Sequence, residues 1–64
     1  MVRINGEERN VSGMTIKEYL VTTSYDMNRV AVELNGDIVP KALYDKTILK
    51  DCDSVEVVSF VGGG

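Results

Sequence analysis

The stretch Val30-Ala31-Val32-Glu33-Leu34-Asn35-Gly36-Asp37-Ile38-Val39-Pro40 reads as strand, turn, strand and stop. Alternation places Val30, Val32 and Leu34 on one face of an extended segment, and the valines suit a pleated, half-buried surface. Asn35-Gly36 then supplies two residues that accept the positive φ of a two-residue hairpin turn. Asp37 to Val39 makes a brief return strand, which Pro40 ends because it has no amide proton to give to a ladder.

Outward from this hairpin the same pattern recurs at the amino terminus. Met1 to Asn5 alternates with Val2 and Ile4 on one face, Asn5-Gly6 repeats the turn pair, and Glu8 to Ser12 returns antiparallel with Val11 facing the core. Ser12-Gly13 breaks the extension. Thr15-Ile16-Lys17-Glu18 has the spacing of a capping box, in which the threonine hydroxyl and the glutamate carboxylate satisfy each other's free backbone donors. Met14 before the cap and Tyr19 inside the helix form a hydrophobic staple, and Ile16, Tyr19, Leu20 and Thr23 recur at helical spacing. This predicts a two-turn helix over 16–23. Lys41 to Lys46 reads as a polar connection or one helical turn, and Thr47 to Leu49 carries two apolar residues back to the core. Lys50-Asp51-Cys52-Asp53 turns into a last strand, Ser54 to Phe60.

The order strand, strand, helix, strand, short strand, final strand suits an α+β domain of the β-grasp type, a mixed sheet of four to five strands curled over one short helix. Pairing the first and last strands in parallel leaves the amino-terminal hairpin on one side and the Val30 strand on the other. The domain then spans residues 1–60, with residues 61–64 as a flexible tail.

Composition narrows the function. The chain has 64 residues, 44% hydrophobic and 27% charged, which is one small domain with a core of one layer on one layer. Ten acidic against seven basic residues give a net charge of −3, and the cations are scattered, which disfavours nucleic acid. No apolar run approaches the ~20 residues that span a bilayer, and MVRINGEE has no apolar signal core, so a soluble cytoplasmic protein is expected. One cysteine excludes an intramolecular disulfide, and without histidine there is no zinc or haem set, no metal site and no Ser-His or Cys-His pair. Chemistry involving this chain is therefore expected to be catalysed by another protein, with no catalytic residue and no cofactor of its own. Asp51 and Asp53 beside Cys52 oppose the thiolate that a nucleophilic role would need.

In the last strand, Val55 and Val57 share one face while Glu56, Val58 and Phe60 share the other. Val58 and Phe60 then either stand on the open face as a partner-docking surface, or Phe60 folds over an edge to fill a gap. Beyond them the chain reads Val61-Gly62-Gly63-Gly64. At ordinary glycine usage three glycines in a row arise at a given place with a chance of about 3 in 10,000. Glycine threads a channel too narrow for a Cβ, and four residues at ~3.3 Å each reach about 13 Å into a partner's active site. What would be delivered there is the Gly64 α-carboxylate, ionised at neutral pH and able to attack the α-phosphate of ATP when held in line. An idle glycine tail is the alternative.

Ile4-Asn5-Gly6-Glu7, the Val30 to Pro40 stretch, and Asp53-Ser54-Val55-Glu56-Val57-Val58-Ser59-Phe60-Val61-Gly62-Gly63-Gly64 together resemble the ThiS family of sulfur carriers in thiamine biosynthesis. The resemblance implies the ubiquitin-like β-grasp fold and a carrier, not an enzyme. It also implies activation of Gly64 by a ThiF-type adenylyltransferase that uses ATP, and replacement of the adenylate by sulfur from a cysteine-derived persulfide. Delivery of the resulting thiocarboxylate sulfur to thiazole synthase, ThiG, would complete the sequence. Gly64 matches the modified residue, Gly62 and Gly63 the threading tail that Val61 leads, and Phe60 and Val61 the apolar segment just before it. Tyr25-Asp26-Met27-Asn28 and Asp51-Cys52-Asp53 depart from the family pattern. A molybdopterin-synthase-type small subunit and a ubiquitin-like protein modifier are the alternatives.

Overall fold

The two asparagine–glycine pairs set the sheet. In the computed structural model, which describes residues 1–60, Asn5 and Asn35 adopt φ of 51° and 52° and are followed by Gly6 and Gly36 at 84° and 91°. These are the doubly positive φ values of a primed hairpin turn, whose twist matches that of the strands it joins. The first turn joins β1 (Val2–Ile4) to β2 (Glu7–Arg9), and the second joins β3 (Val30–Leu34) to β4 (Asp37–Ile38). The return strands are shorter than the alternation suggested, because pairing stops at Val2–Arg9 in one hairpin and at Glu33–Ile38 in the other. Val39 lies beyond β4 yet is buried, and its N–H still reaches the Val32 carbonyl at 2.9 Å.

β5 (Ser54–Ser59) is the central strand of the order β2-β1-β5-β3-β4, parallel to β1 and antiparallel to β3. This is the predicted β-grasp topology. Both asparagines also anchor β5. Asn35 accepts the Ser54 N–H at 2.9 Å on its side-chain oxygen, while its own N–H donates to the Ser54 carbonyl at 2.7 Å. Asn5 behaves as an added peptide group: its side-chain oxygen accepts the Val57 N–H at 2.7 Å and its side-chain nitrogen donates to the Val57 carbonyl at 3.2 Å. β1 ends at Ile4, so this amide extends the ladder where the strand has run out.

One helix, α1 (Ile16–Val21), covers the inner face of the sheet with Ile16, Tyr19 and Leu20. Six residues do not hold a helix in water alone, so its ends and its packing must do so. The capping box is formed, with the Glu18 N–H on Thr15 Oγ1 at 3.0 Å and the Thr15 N–H on Glu18 Oε1 at 2.9 Å. The next two donors, of Ile16 and Lys17, go to the carbonyls of Thr47 and Tyr44. Every amide that helix geometry leaves free at this end is therefore satisfied, and the 41–49 segment is tied to the helix start. At the other end the Thr22 and Thr23 hydroxyls each donate at 2.6 Å to the carbonyls of Tyr19 and Leu20, joined by their own N–H groups. These tight three-residue returns end the helix at Val21, so Thr23 belongs to the exit turn and not to the apolar stripe.

The core joins Val2, Ile4, Val32, Val55 and Val57 of the sheet to Ile16 and Leu20 of the helix, and Val11 packs against it half-buried. Leu49 enters it, but Ile48 is 52% exposed. The reason is local: Leu49 is held by its N–H on the Met14 carbonyl and its carbonyl on the Gly13 N–H, both at 2.8 Å, and alternation turns Ile48 outward. Two single 3₁₀ turns, Met27–Arg29 and Lys41–Leu43, complete the chain path. The first is capped by Asp26, which accepts the Asn28 N–H at 2.8 Å. The second delivers Tyr44 to the core, where it is 4% exposed.

Two outcomes follow from these contacts. Asn5→Gly keeps the positive φ but deletes the amide that completes β5, so it should cost about 1–3 kcal/mol, read as a lower urea midpoint at unchanged slope. Asn35→Gly, which loses bonds at an exposed site, should cost less. Burial pushes the Tyr44 phenol above its ordinary value, partly offset by a backbone hydrogen bond at Val32. The unfolded chain then loses this proton first, so the contribution is complete below about pH 10 and is lost as pH rises through the folded value. Alkaline urea titrations should show Tyr44→Phe losing less stability than the parent above pH ~10.

Candidate functional site

The outer face of the sheet follows from the register. With Val30, Val32, Val55 and Val57 buried beneath α1, the alternate residues of β3 and β5 face away from the helix. Ala31 stands opposite Val58 and Glu33 opposite Glu56, and Ile38 of β4 stands opposite Glu33. Val58 is 57% exposed and Phe60 is 54% exposed. Phe60 is not among the apolar side chains that pack against the core, so it does not fill a gap at the sheet edge. Its backbone is nonetheless held, since its N–H donates to the Arg29 carbonyl at 2.7 Å and extends the β3–β5 ladder past Ser59. The last described residue thus leaves the sheet from a fixed point, with apolar side chains exposed beside it.

Gly64, with Val61, Gly62 and Gly63, lies outside the described residues. Val58 and Phe60 are described, and the structure brings them together at the carboxy-terminal end of β5. Glu56, placed on this face by the alternation of the last strand, is joined there by Ile38 and Glu33, which were not singled out in the sequence. The signal was present, since fixing Val30 and Val32 inward forces Glu33 outward and the β4 return sets Ile38 beside it.

The opposite end of β5 holds a second group of polar residues. Cys52 is exposed, has φ of 73°, and donates its N–H to the Met1 carbonyl at 2.9 Å. Beside it, Asp51 accepts a hydrogen bond from the Met1 amino group and another from Ser12 Oγ at 2.6 Å. The Met1 bond, then the Ser12 bond, lower the Asp51 carboxyl below its ordinary value, and the same contact raises the Met1 amine. Six residues of β5 separate this corner from Phe60, about 20 Å at the rise of a strand.

Among the described residues no three His, Cys, Asp or Glu side chains come together to hold a metal ion, and no helix is long and apolar enough to cross a membrane. The surface therefore offers shape, apolar area and carboxylates.

Comparison with known proteins matches this sequence and fold to the ThiS family. The ThiS family model matches residues 2–64. A thiazole synthase of Paramagnetospirillum magneticum is 48% identical over 62 residues, covering 95% of this chain and 19% of that protein. The chain therefore spans about a fifth of the length of that relative. The sulfur carrier protein ThiS of Thermus thermophilus is 39% identical over 64 residues, and the match covers all of both chains. The crystal structure of the thiamine biosynthesis protein (ThiS) from Geobacter metallireducens aligns with a TM-score of 0.76 at 31% identity, over 98% of this chain and 97% of that one. A match that runs from the first strand through the terminal glycines makes this chain a member of the ThiS family.

Proposed function

We propose that this chain carries sulfur for thiazole formation in thiamine biosynthesis, as a cytoplasmic protein co-substrate whose chemistry is catalysed by its partners. The observation that carries the reading is the end of β5, where a strand anchored on both sides exposes Val58 and Phe60 and runs directly into Val61-Gly62-Gly63-Gly64. A rigid body with apolar grip and a glycine lead is what a partner needs to hold a terminal carboxylate in line with a nucleotide.

In this reading a ThiF-type adenylyltransferase binds the chain by Val58 and Phe60 and admits Val61, Gly62 and Gly63 into a channel without room for side chains. The Gly64 carboxylate attacks the α-phosphate of ATP and pyrophosphate leaves, giving an acyl adenylate. The outer sulfur of a cysteine-derived persulfide displaces AMP, and a thiol reduces the sulfur–sulfur bond to leave the thiocarboxylate on Gly64. Thiazole synthase then takes that sulfur. A thiazole synthase that contains, within its own length, a segment 48% identical to this chain supports that acceptor. The ATP belongs to the activating enzyme.

Intact-mass spectrometry after incubation with ATP, a ThiF-type enzyme and a persulfide source should show one oxygen exchanged for sulfur, located by fragmentation at Gly64. Removing Gly64 should abolish ATP–pyrophosphate exchange and leave the urea midpoint unchanged. A truncated chain that is still adenylated would sink the proposal, and ladders of lysine conjugates would point to a protein modifier instead. Because Cys52 lies at the far end of β5, Cys52→Ser should accept sulfur as the parent does; complete loss would place Cys52 in the transfer route.

A further inference from the structure

The outer face of β3 and β5 carries a feature that costs the isolated domain stability. Glu33 and Glu56 are direct cross-strand partners. The Asn35 N–H on the Ser54 carbonyl and the Phe60 N–H on the Arg29 carbonyl fix the phase of the ladder and make Glu33–Glu56 a hydrogen-bonded pair. The two Cα atoms then lie about 5.5 Å apart, with both side chains on the same face. Like charges so placed repel. Among the described residues neither carboxylate has a salt-bridge partner. Arg3, which shares the outer face opposite Ser54, is occupied by Glu8, with Nε 3.2 Å from Oε2.

This carboxylate pair adjoins the apolar surface. One step along the same face is Ala31–Val58, and Phe60 follows by the two-residue period. Gly64 is the fourth residue beyond Phe60 in sequence, a span of about 13 Å when extended, so any protein that closes its active site on Gly64 must stand against this end of the sheet. We infer that the adenylylating partner proposed above covers the outer face of β3 and β5, setting apolar side chains on Val58 and Phe60 and an arginine or lysine between Glu33 and Glu56. The inference rests on the carrier reading and adds the feature that selects the partner. A guanidinium fork can bridge two carboxylates at once. It removes their repulsion only in the complex, so the relief adds to recognition and not to the free fold. A second copy of this chain is a poor occupant, since face-to-face pairing would bring four carboxylates together.

The test uses the full-length chain and a ThiF-type enzyme, with ATP–pyrophosphate exchange measured at low and high salt. Glu56→Gln and Glu33→Gln should each raise the urea midpoint and lower kcat/KM about tenfold at low salt, through KM. High salt should narrow the gap between variant and parent. Asp45→Asn, an equal charge change outside the sheet, should leave exchange within about twofold of the parent at either salt. Undiminished exchange in the Glu33→Gln, Glu56→Gln double variant overturns this inference while leaving the carrier reading in place. So does an equal loss in Asp45→Asn, which would reduce the effect to net charge, or dimerisation of the double variant with exchange unchanged, which would assign the pair to keeping copies apart. No exchange with the parent chain removes both readings.

Discussion

The pair of hydrogen bonds between the Asn5 side chain and the Val57 backbone is the contact on which the rest of the structure depends. β5 is the central strand, between β1 from the start of the chain and β3 from its middle, and β1 is three residues long. A short neighbour would leave the second half of β5 with unpaired polar groups above a packed core, a costly arrangement. The asparagine amide supplies the missing peptide group from within the turn that ends β1. The same residue sets the hairpin geometry and completes the central strand, so register, turn and core are fixed together. Asn35 repeats the arrangement at the start of β5, from the other hairpin.

The parts of this fold that were legible in the sequence are those written in a few adjacent residues. Asn-Gly pairs specify hairpins through φ alone, Thr15 and Glu18 specify a helix start through two bonds, and alternating valines specify a buried face. The parts that were not legible depend on what a residue meets in three dimensions. Ile48 and Leu49 are equally apolar, and only the bonds of Leu49 to Met14 and Gly13 decide which enters the core. Thr23 fits the helical period, but its hydroxyl has a local carbonyl to bind and ends the helix instead. Tyr44 lies within a stretch that reads as a polar connection or one helical turn, and a 3₁₀ turn delivers it inward. The candidate site divides in the same way. Val58, Phe60 and Glu56 followed from period two along one strand, whereas Glu33 opposite Glu56 needed the pairing of two strands far apart in sequence.

The described residues supply apolar area, two opposed carboxylates and a rigidly held exit. A domain with these properties suits successive partners, because each needs only to grip the same body and receive the same extended segment. Stability and recognition pull in opposite directions at Glu33 and Glu56, which is common where a surface is shaped for a complex.

The parallel pairing of β1 with β5 also bears on how the molecule comes into being. Synthesis proceeds from the amino terminus, so the outer hairpins and the helix emerge first, and the strand that must lie between them emerges last. Until β5 is free to insert, Val2, Ile4, Val30 and Val32 have no common sheet to join, and the pairing of β1 with β5 spans nearly the whole chain. Nascent chains interrupted before Ser54 lack the centre of the sheet and remain unfolded substrates for proteases. A chain that stops short of β5 therefore loses the whole sheet at once and not merely its last strand.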